Sequence, residues 1–200
     1  MPCEEKLIVF LKAPRPGSVK TRLARALGAE AACDAYRRLV TVLLNQLAAV
    51  QGLELCYSPD DALAEIKPWL REGWRSAPQG DGNLGDRLGA AFDRAFREGA
   101  LRVVIIGSDC PTVTPADIHA AWDGLRSHDV VLGPASDGGY WLLGLRRPQP
   151  SLFRDIPWGD ATVLQRTLEH VSQSGLSVAL LREQRDIDTV EDWRSFLGPR

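Results

Sequence analysis

The stretch Leu101-Arg102-Val103-Val104-Ile105-Ile106-Gly107-Ser108-Asp109-Cys110-Pro111 decides how the rest of the chain reads. Val103 to Ile106 is a continuous apolar run rich in β-branched residues. Such a run marks a short strand buried on both faces, the kind found at the centre of a parallel sheet. Gly107 and Ser108 stop it, Asp109 follows at once, and Pro111 has no N–H to extend the ladder. A carboxylate is thereby set just past the carboxyl end of a central strand, which is where ligands bind in open α/β sheets. Asp109 also competes for the plainer task of capping the next helix. Thr114 is better placed for that, directly before Pro115, Ala116 and Asp117.

Working outward, strands and helices alternate. Lys6 to Leu11 reads as a first strand, followed by a loop broken by Pro14, Pro16 and Gly17. Leu39, Val40, Leu43, Leu44 and Leu47 fall at helical spacing between Ala29 and Val50. Leu53 to Tyr57 is a second strand. Ser58 and Pro59 are expected to cap and open a helix that fades by Gly73. Trp74 to Ala77 is a short strand and Leu84 to Arg97 a helix. After the central strand come a helix from Thr114 to about Ser127 and strands at Asp129–Leu132 and Tyr140–Leu145. The glycine-rich loop between those two strands suggests a partly antiparallel element. A helix (Ala161–Ser174), a strand (Leu176–Leu181) and a terminal helix (Thr189–Leu197) close the chain. The order predicts an α/β fold: a mostly parallel, doubly wound sheet with helices on both faces and a small antiparallel element. No repeat, low-complexity tract or long linker interrupts it, so residues 1–200 are expected to form one domain.

Composition narrows the function classes. Lys and Arg number 24 against 26 Asp and Glu, so no basic excess points to nucleic acid. No apolar run approaches the roughly 18 residues of a membrane span. Leu7 to Leu11 is too short for the apolar core of a signal peptide. Cys3, Cys33, Cys56 and Cys110 are widely spaced with no C-x-x-C pair, which suits free thiols in a reducing cytoplasm. His119, His128 and His170 show no zinc-ligand spacing. Cys110 beside Asp109 reads as a small buried thiol rather than a nucleophile.

Two groups of residues carry chemistry. The loop after strand one holds four cations, Lys12, Arg15, Lys20 and Arg22. Its G-S-V-K-T segment is not a phosphate loop, because Val19 stands where G-x-x-x-x-G-K-[ST] needs a second glycine. A Pro/Gly loop between strand and helix still presents N–H groups to an anion, and Lys20 and Arg22 would add charge-assisted contacts to a di- or triphosphate. The second group is acidic. Asp109, Asp137, and the pair Asp186 and Asp188 all follow strands, so they are expected near one edge of the sheet. Mg²⁺ bound with phosphate oxygens needs one or two such carboxylates. Each acid also has a plain use: Asp137 in a turn with Gly138, Asp188 as a cap before Thr189.

The motifs F-L-K-A-P-R-P-G-S-V-K-T-R-L, Q-G-D-G-N-L-G-D-R-L, I-I-G-S-D-C-P, V-L-G-P-A-S-D-G-G-Y-W-L-L-G-L, W-G-D-A-T-V-L and D-I-D-T-V-E-D-W run in order from Phe10 to Trp193. Together they resemble the rSAM/selenodomain-associated transferase family, also called arsenosugar-biosynthesis glycosyltransferases. That family belongs to the GT-A nucleotide-diphospho-sugar transferase superfamily. The resemblance implies a Rossmann-like GT-A fold, with nucleotide contacts from Lys12, Ala13, Pro14, Arg15, Gly17, Lys20, Arg22, Asn83, Arg87 and Ser108. It implies an acceptor or sugar side at Gly138, Gly139, Tyr140 and Trp158, catalysis by Asp109, Asp137 and Lys20, and Mg²⁺ or Mn²⁺ held by Asp109 and Asp188. Two departures stand out: Trp158-Gly159-Asp160 replaces W-S-T or W-G-T, and Pro111 removes the D-x-D form. Asp160 then either adds an acid to the site or caps the next helix.

The implied activity is metal-dependent glycosyl transfer from a nucleotide-activated sugar to a small-molecule acceptor. The basic first loop favours the alternative, nucleotidyl transfer of the guanylyltransferase kind with pyrophosphate release. A nucleotide-binding module without turnover is a third reading, against which the several acids count. No nucleic-acid or membrane partner is expected, and a homodimer stays open.

Overall fold

The structure is a computed structural model that describes residues 4–198, so Cys3 lies outside the described residues. Its centre is a sheet of seven strands: β1 (Glu5–Lys12), β2 (Leu53–Ser58), β3 (Arg75–Pro78), β4 (Arg102–Gly107), β5 (Val130–Pro134), β6 (Tyr140–Leu145) and β7 (Val178–Leu180). They lie in the order β3-β2-β1-β4-β6-β5-β7. Every neighbouring pair is parallel except those of β6, which runs antiparallel to β4 and to β5. The helices are α1 (Thr21–Leu27), α2 (Ala29–Gln46), α3 (Leu63–Ile66), α4 (Leu84–Arg97), α5 (Pro115–Ser127), α6 (Val163–Gln173) and α7 (Val190–Leu197).

The pleat of β1 explains the layers. Leu7, Val9 and Leu11 point to the face covered by α2 and α5, joined there by Val104, Ile106, Leu43 and Ile118. Ile8 and Phe10 point to the opposite face, against Leu88 and Phe92 of α4 and Val171 of α6. Alternate residues of one strand thus enter two cores, which is why the central strands are apolar without a break. In β4, Val103, Val104, Ile105 and Ile106 are all buried.

Helix starts follow their side-chain chemistry. Asn83, Thr114 and Thr189 each accept from the backbone N–H three residues on, and Asp86, Asp117 and Asp192 return the bond.

Two expectations change. Ser58 does not cap a helix. It ends β2, paired opposite Lys12, and its carbonyl accepts from the Ala13 N–H at 2.8 Å. The helix starts only at Leu63 and tightens into a 3-10 turn at Lys67–Trp69, where Pro68 removes a donor. The central strand β4 is also not parallel on both sides, because β6 takes the position between β4 and β5. A double-faced apolar run registers burial, not the direction of the neighbour.

Strand order reverses between β1 and β4, since the chain builds β2 and β3 outward from β1 and everything later outward from β4. The ends of β1 and β4 therefore border a crevice of the kind that holds ligands in such sheets. Among the described residues no helix is long and apolar enough to cross a membrane.

Asp129 ties together the far half of the sheet. Its carboxylate accepts from the Ser177 N–H and hydroxyl at 3.0 and 2.7 Å, from Arg146 Nε at 2.9 Å and from Arg147 at 2.6 Å. These bonds join the segments entering β5 and β7 to the end of β6. The two Ser177 bonds, aided by the arginines, hold the Asp129 carboxyl far below the ordinary value of 3.8. A carboxyl whose folded-state pKa is depressed stabilises the fold above its unfolded value and loses that contribution as pH falls. Asp129→Asn is expected to cost roughly 2–3 kcal/mol at pH 7. It should also flatten the loss of stability below about pH 4. Urea unfolding of both proteins across that range checks both outcomes.

Candidate active site

The loop between β1 and α1 turns through Gly17 and then forces Lys20 into the left-handed region at φ 47°. From there the Lys20 side chain runs inward and is 3% exposed. Its ammonium lies 2.6 Å from Asp109 Oδ1, just past β4, and 3.0 Å from Asp188 Oδ1, just before α7. Burial works against the charge, but the carboxylates of Asp109 and Asp188 outweigh it and the Lys20 pKa lies above the ordinary lysine value. Arg22 approaches Asp188 Oδ2 at 3.5 Å from the solvent side. Three segments far apart in sequence thus meet at one ammonium.

Tyr36 of α2 sets the floor. Its hydroxyl accepts from the Lys12 N–H at 2.8 Å, faces the Lys12 carbonyl at 3.1 Å and lies 3.2 Å from Ser108 Oγ. Burial pushes this phenol well above its ordinary value, so it stays protonated. Gln79, also buried, donates to the carbonyls of Leu11 and Cys56 at 3.1 and 2.9 Å. These bonds hold the ends of β1, β2 and β4 in fixed relation. Above them is a cleft of about 410 Å³, lined among others by Lys12, Ser18, Lys20, Arg22, Leu84, Ser108, Asp109 and Asp188.

A second hollow of about 250 Å³ adjoins it, because Arg22 and Leu84 line both. Its other walls include Asp137, Gly139, Tyr140, Trp158 and Asp160. Asp137 accepts from the Gly139 N–H and Asp160 from the Thr162 N–H, both at 2.9 Å, so each acid shapes its own turn. Gly138 packs behind this wall. At φ +90° it lies so close to Ala161 that a Cβ would sit 1.9 Å from that carbonyl oxygen.

The tail before α7 is strapped across the strand ends. Gln184 bonds to the backbone of Pro134 and Ser136, and the Ile187 N–H donates to the Asp109 carbonyl at 3.2 Å. The strap half-buries Asp186, which accepts from the Cys110 thiol at 2.6 Å. Burial pushes the Asp186 carboxyl up to about 6; the thiol bond opposes this, and the charges of Asp109 and Asp137 add to it. Burial also keeps the Cys110 thiol protonated, which suits a donor and not a nucleophile.

Residues 41–160 match a family described as "Uncharacterized protein conserved in bacteria (DUF2064)". The chain belongs to the DUF2064 family. It is 30% identical over 196 residues to a 3-phospho-D-glycerate guanylyltransferase of Phenylobacterium zucineum, covering 92% of this chain and 78% of that one. A 2-phospho-L-lactate guanylyltransferase of Methanothermobacter thermautotrophicus is 32% identical over 117 residues, 57% of this chain and half of that protein's length. Among solved structures, a Desulfovibrio desulfuricans G20 protein provisionally named a nucleotide-diphospho-sugar transferase superposes with a TM-score of 0.89 at 38% identity. That match covers 94% of this chain and 84% of the other.

Not every residue expected at the site of this DUF2064 protein reaches the cleft. Arg15 turns away and is held by Glu65, 2.6 Å from its guanidinium, and by Asp61. Two carboxylates from the segment after β2 satisfy it, which loop composition does not disclose. Ala13 is buried, the Pro14 carbonyl accepts from the Cys33 thiol and from Arg37, and Gly17 makes the turn. Asn83 caps α4, and Arg87 one turn later donates to Ser58 Oγ at 3.4 Å. Tyr36, Gln79 and Leu84 were not named among the expected site residues, whereas Asp186 was one of the acids expected at the sheet edge. Gln79 and Leu84 lie within the Q-G-D-G-N-L-G-D-R-L motif, where no role was read for either, and Tyr36 carries no local signal beyond a polar group on an apolar face.

Gly138→Ala meets both a left-handed backbone and an immovable carbonyl. It is expected to cost roughly 2–4 kcal/mol, read as a lower urea midpoint. Gly159→Ala is the comparison, since that glycine shares φ +90° with open space around it. It should lose only the backbone part.

Proposed function

We propose that this chain is a transferase that binds a nucleoside polyphosphate in the Lys20 cleft and an acceptor in the adjoining hollow. The favoured reaction is nucleotidyl transfer. The observation that carries the reading is the buried Lys20 ammonium between Asp109 and Asp188, at the crevice where the strand order reverses. A site that sets a buried ammonium against two partly exposed carboxylates beneath an open cleft suits a ligand that carries phosphates and a counter-ion. The guanylyltransferase names of two relatives support nucleotidyl transfer. Residues 1–200 act as one domain in this reading, and the three cysteines among the described residues, buried and free of disulfides, suit a cytoplasmic setting.

A divalent metal fits these residues. Among the described residues no group of three or more His, Cys, Asp or Glu forms a metal cage. Asp109 and Asp188 nonetheless flank one cation already, and Mg²⁺ commonly takes one or two carboxylates plus phosphate oxygens and water. Mg²⁺ or Mn²⁺ held there would neutralise charge on the phosphates. Lys20 and Arg22 would hold phosphate oxygens, with Lys12 and Ser108 beside them. Arg22, shared by both hollows, would orient the donor phosphate toward the acceptor. An acceptor oxygen from the second hollow would attack the α-phosphorus, forming a new P–O bond as the bond to pyrophosphate breaks. Asp137, in the wall of that hollow, would steady or deprotonate the acceptor.

Glycosyl transfer is the second reading. It is favoured by the walls of the second hollow, where Trp158, Asp137 and Asp160 offer a flat apolar face and hydroxyl-binding carboxylates. The 38% identical structure named for nucleotide-diphospho-sugar transfer points the same way. Membership of the rSAM/selenodomain-associated branch is part of this second reading and rests on the motif set.

One assay separates the readings. The chain is incubated with Mn²⁺, a panel of nucleoside triphosphates and nucleotide sugars, and small acceptors bearing phosphate or hydroxyl groups. Acceptor-dependent pyrophosphate release is the expected result; nucleoside diphosphate release from a sugar donor would replace it with glycosyl transfer. Asp109→Asn should lower turnover by about 100-fold or more. Full activity in that variant would remove Asp109 from the mechanism.

A further inference from the structure

Lys20 is placed unusually for a residue that meets phosphate. A lysine waiting for an anion commonly stands in solvent. Here the side chain is 3% exposed, while the two acids it joins are 45% and 36% exposed. The ammonium is therefore more deeply set than the carboxylates, and both acids line the cleft. With Arg22 at 3.5 Å from Asp188 Oδ2, two negative groups are matched by two positive ones. Lys20 is also one of two non-glycine residues among those described with positive φ, so the loop is bent to deliver this side chain.

A pair of carboxylates already neutralised is a poor ligand set for a free divalent ion. Mg²⁺ and Mn²⁺ must shed tightly held water to bind, and that cost is met by negative charge. Phosphates change the balance. They bring several negative charges of their own and attract Lys20 and Arg22, which leaves Asp109 and Asp188 free to face a cation. We infer that Lys20 is an internal counter-cation that keeps the Asp109–Asp188 pair from holding a divalent metal alone, so that metal and nucleotide are taken up together. The inference rests on the transferase reading above, and it assigns an order of assembly that reading does not require.

The test uses Mn²⁺ alone, with no nucleotide, titrated into the full chain and followed by the free-ion paramagnetic resonance signal. Wild type is expected to bind weakly. Lys20→Met is expected to bind at least about tenfold more tightly, because removing a unit charge some 3 Å from the ligand oxygens removes a strong repulsion. Adding Asp109→Asn to Lys20→Met should abolish the gain and locate it. Lys20→Arg, which keeps the charge, should stay close to wild type. A folded Lys20→Met protein with wild-type Mn²⁺ affinity would overturn the inference. Lys20→Gln substitutes if Lys20→Met fails to fold. Should neither fold, wild type decides: micromolar Mn²⁺ binding without nucleotide overturns the inference, and none below about 1 mM supports it. Equilibrium dialysis of wild type with each of the four nucleoside triphosphates and Mn²⁺ tests the transferase reading separately. Retention of none would sink that reading, while the metal-alone comparison still decides the role of Lys20.

Discussion

A buried ammonium needs a partner, and in this protein that requirement connects the ends of the chain to its middle. Taking a lysine charge out of water is costly unless opposite charges accompany it. Lys20 meets Asp109 and Asp188 within 3.0 Å. The three residues come from the loop after β1, the end of β4 and the tail before α7. Each segment is separately anchored: by Tyr36 to the β1 end, by the buried run of β4, and by the strap that bonds Gln184 and Ile187 across the strand ends. The ion pair is therefore preorganised rather than gathered from mobile parts. Loss of either Asp109 or Asp188 would leave the ammonium with one carboxylate.

The antiparallel strand β6 makes this meeting possible. By taking the place between β4 and β5, it moves β5 and β7 one strand further from β1. The Ser136–Gly139 loop then lies at the carboxyl edge, where Gln184 can pair with Ala135 and pass back toward β4. The same loop carries Asp137 into the wall of the second hollow. One reversed strand thus positions both the tail acids and Asp137 in the wall of the second hollow.

The site is made of two adjoining hollows. The first is bordered by Lys12, Lys20 and Arg22, the second by Asp137, Asp160 and an indole. Arg22 and Leu84 stand between them. An anionic donor and an acceptor held in adjacent compartments is the arrangement that a group-transfer reaction uses, because holding both partners in place removes much of the entropic barrier.

Much of the fold was legible locally. The Val103–Ile106 run named a doubly buried strand, Thr114 with Asp117 named a helix start, and strand–helix alternation named the layered sheet. Each depends on periodicity or on bonds within three residues, which a sequence displays directly. Asp109, Lys20 and Asp188 were expected at one edge for the same reason, since all three follow strands. Other features were not legible. Ser58 extends a strand because Lys12 lies opposite it, and Arg15 leaves the cleft because Glu65 is within reach. Tyr36 and Gln79 join the site through bonds to backbone that is distant in sequence. The sequence by itself determined which residues would form strands, caps and charged loops, because those are local choices of backbone and side chain. Only the tertiary structure decided which charge meets which, because a buried ammonium between two carboxylates exists only when three remote segments are packed together.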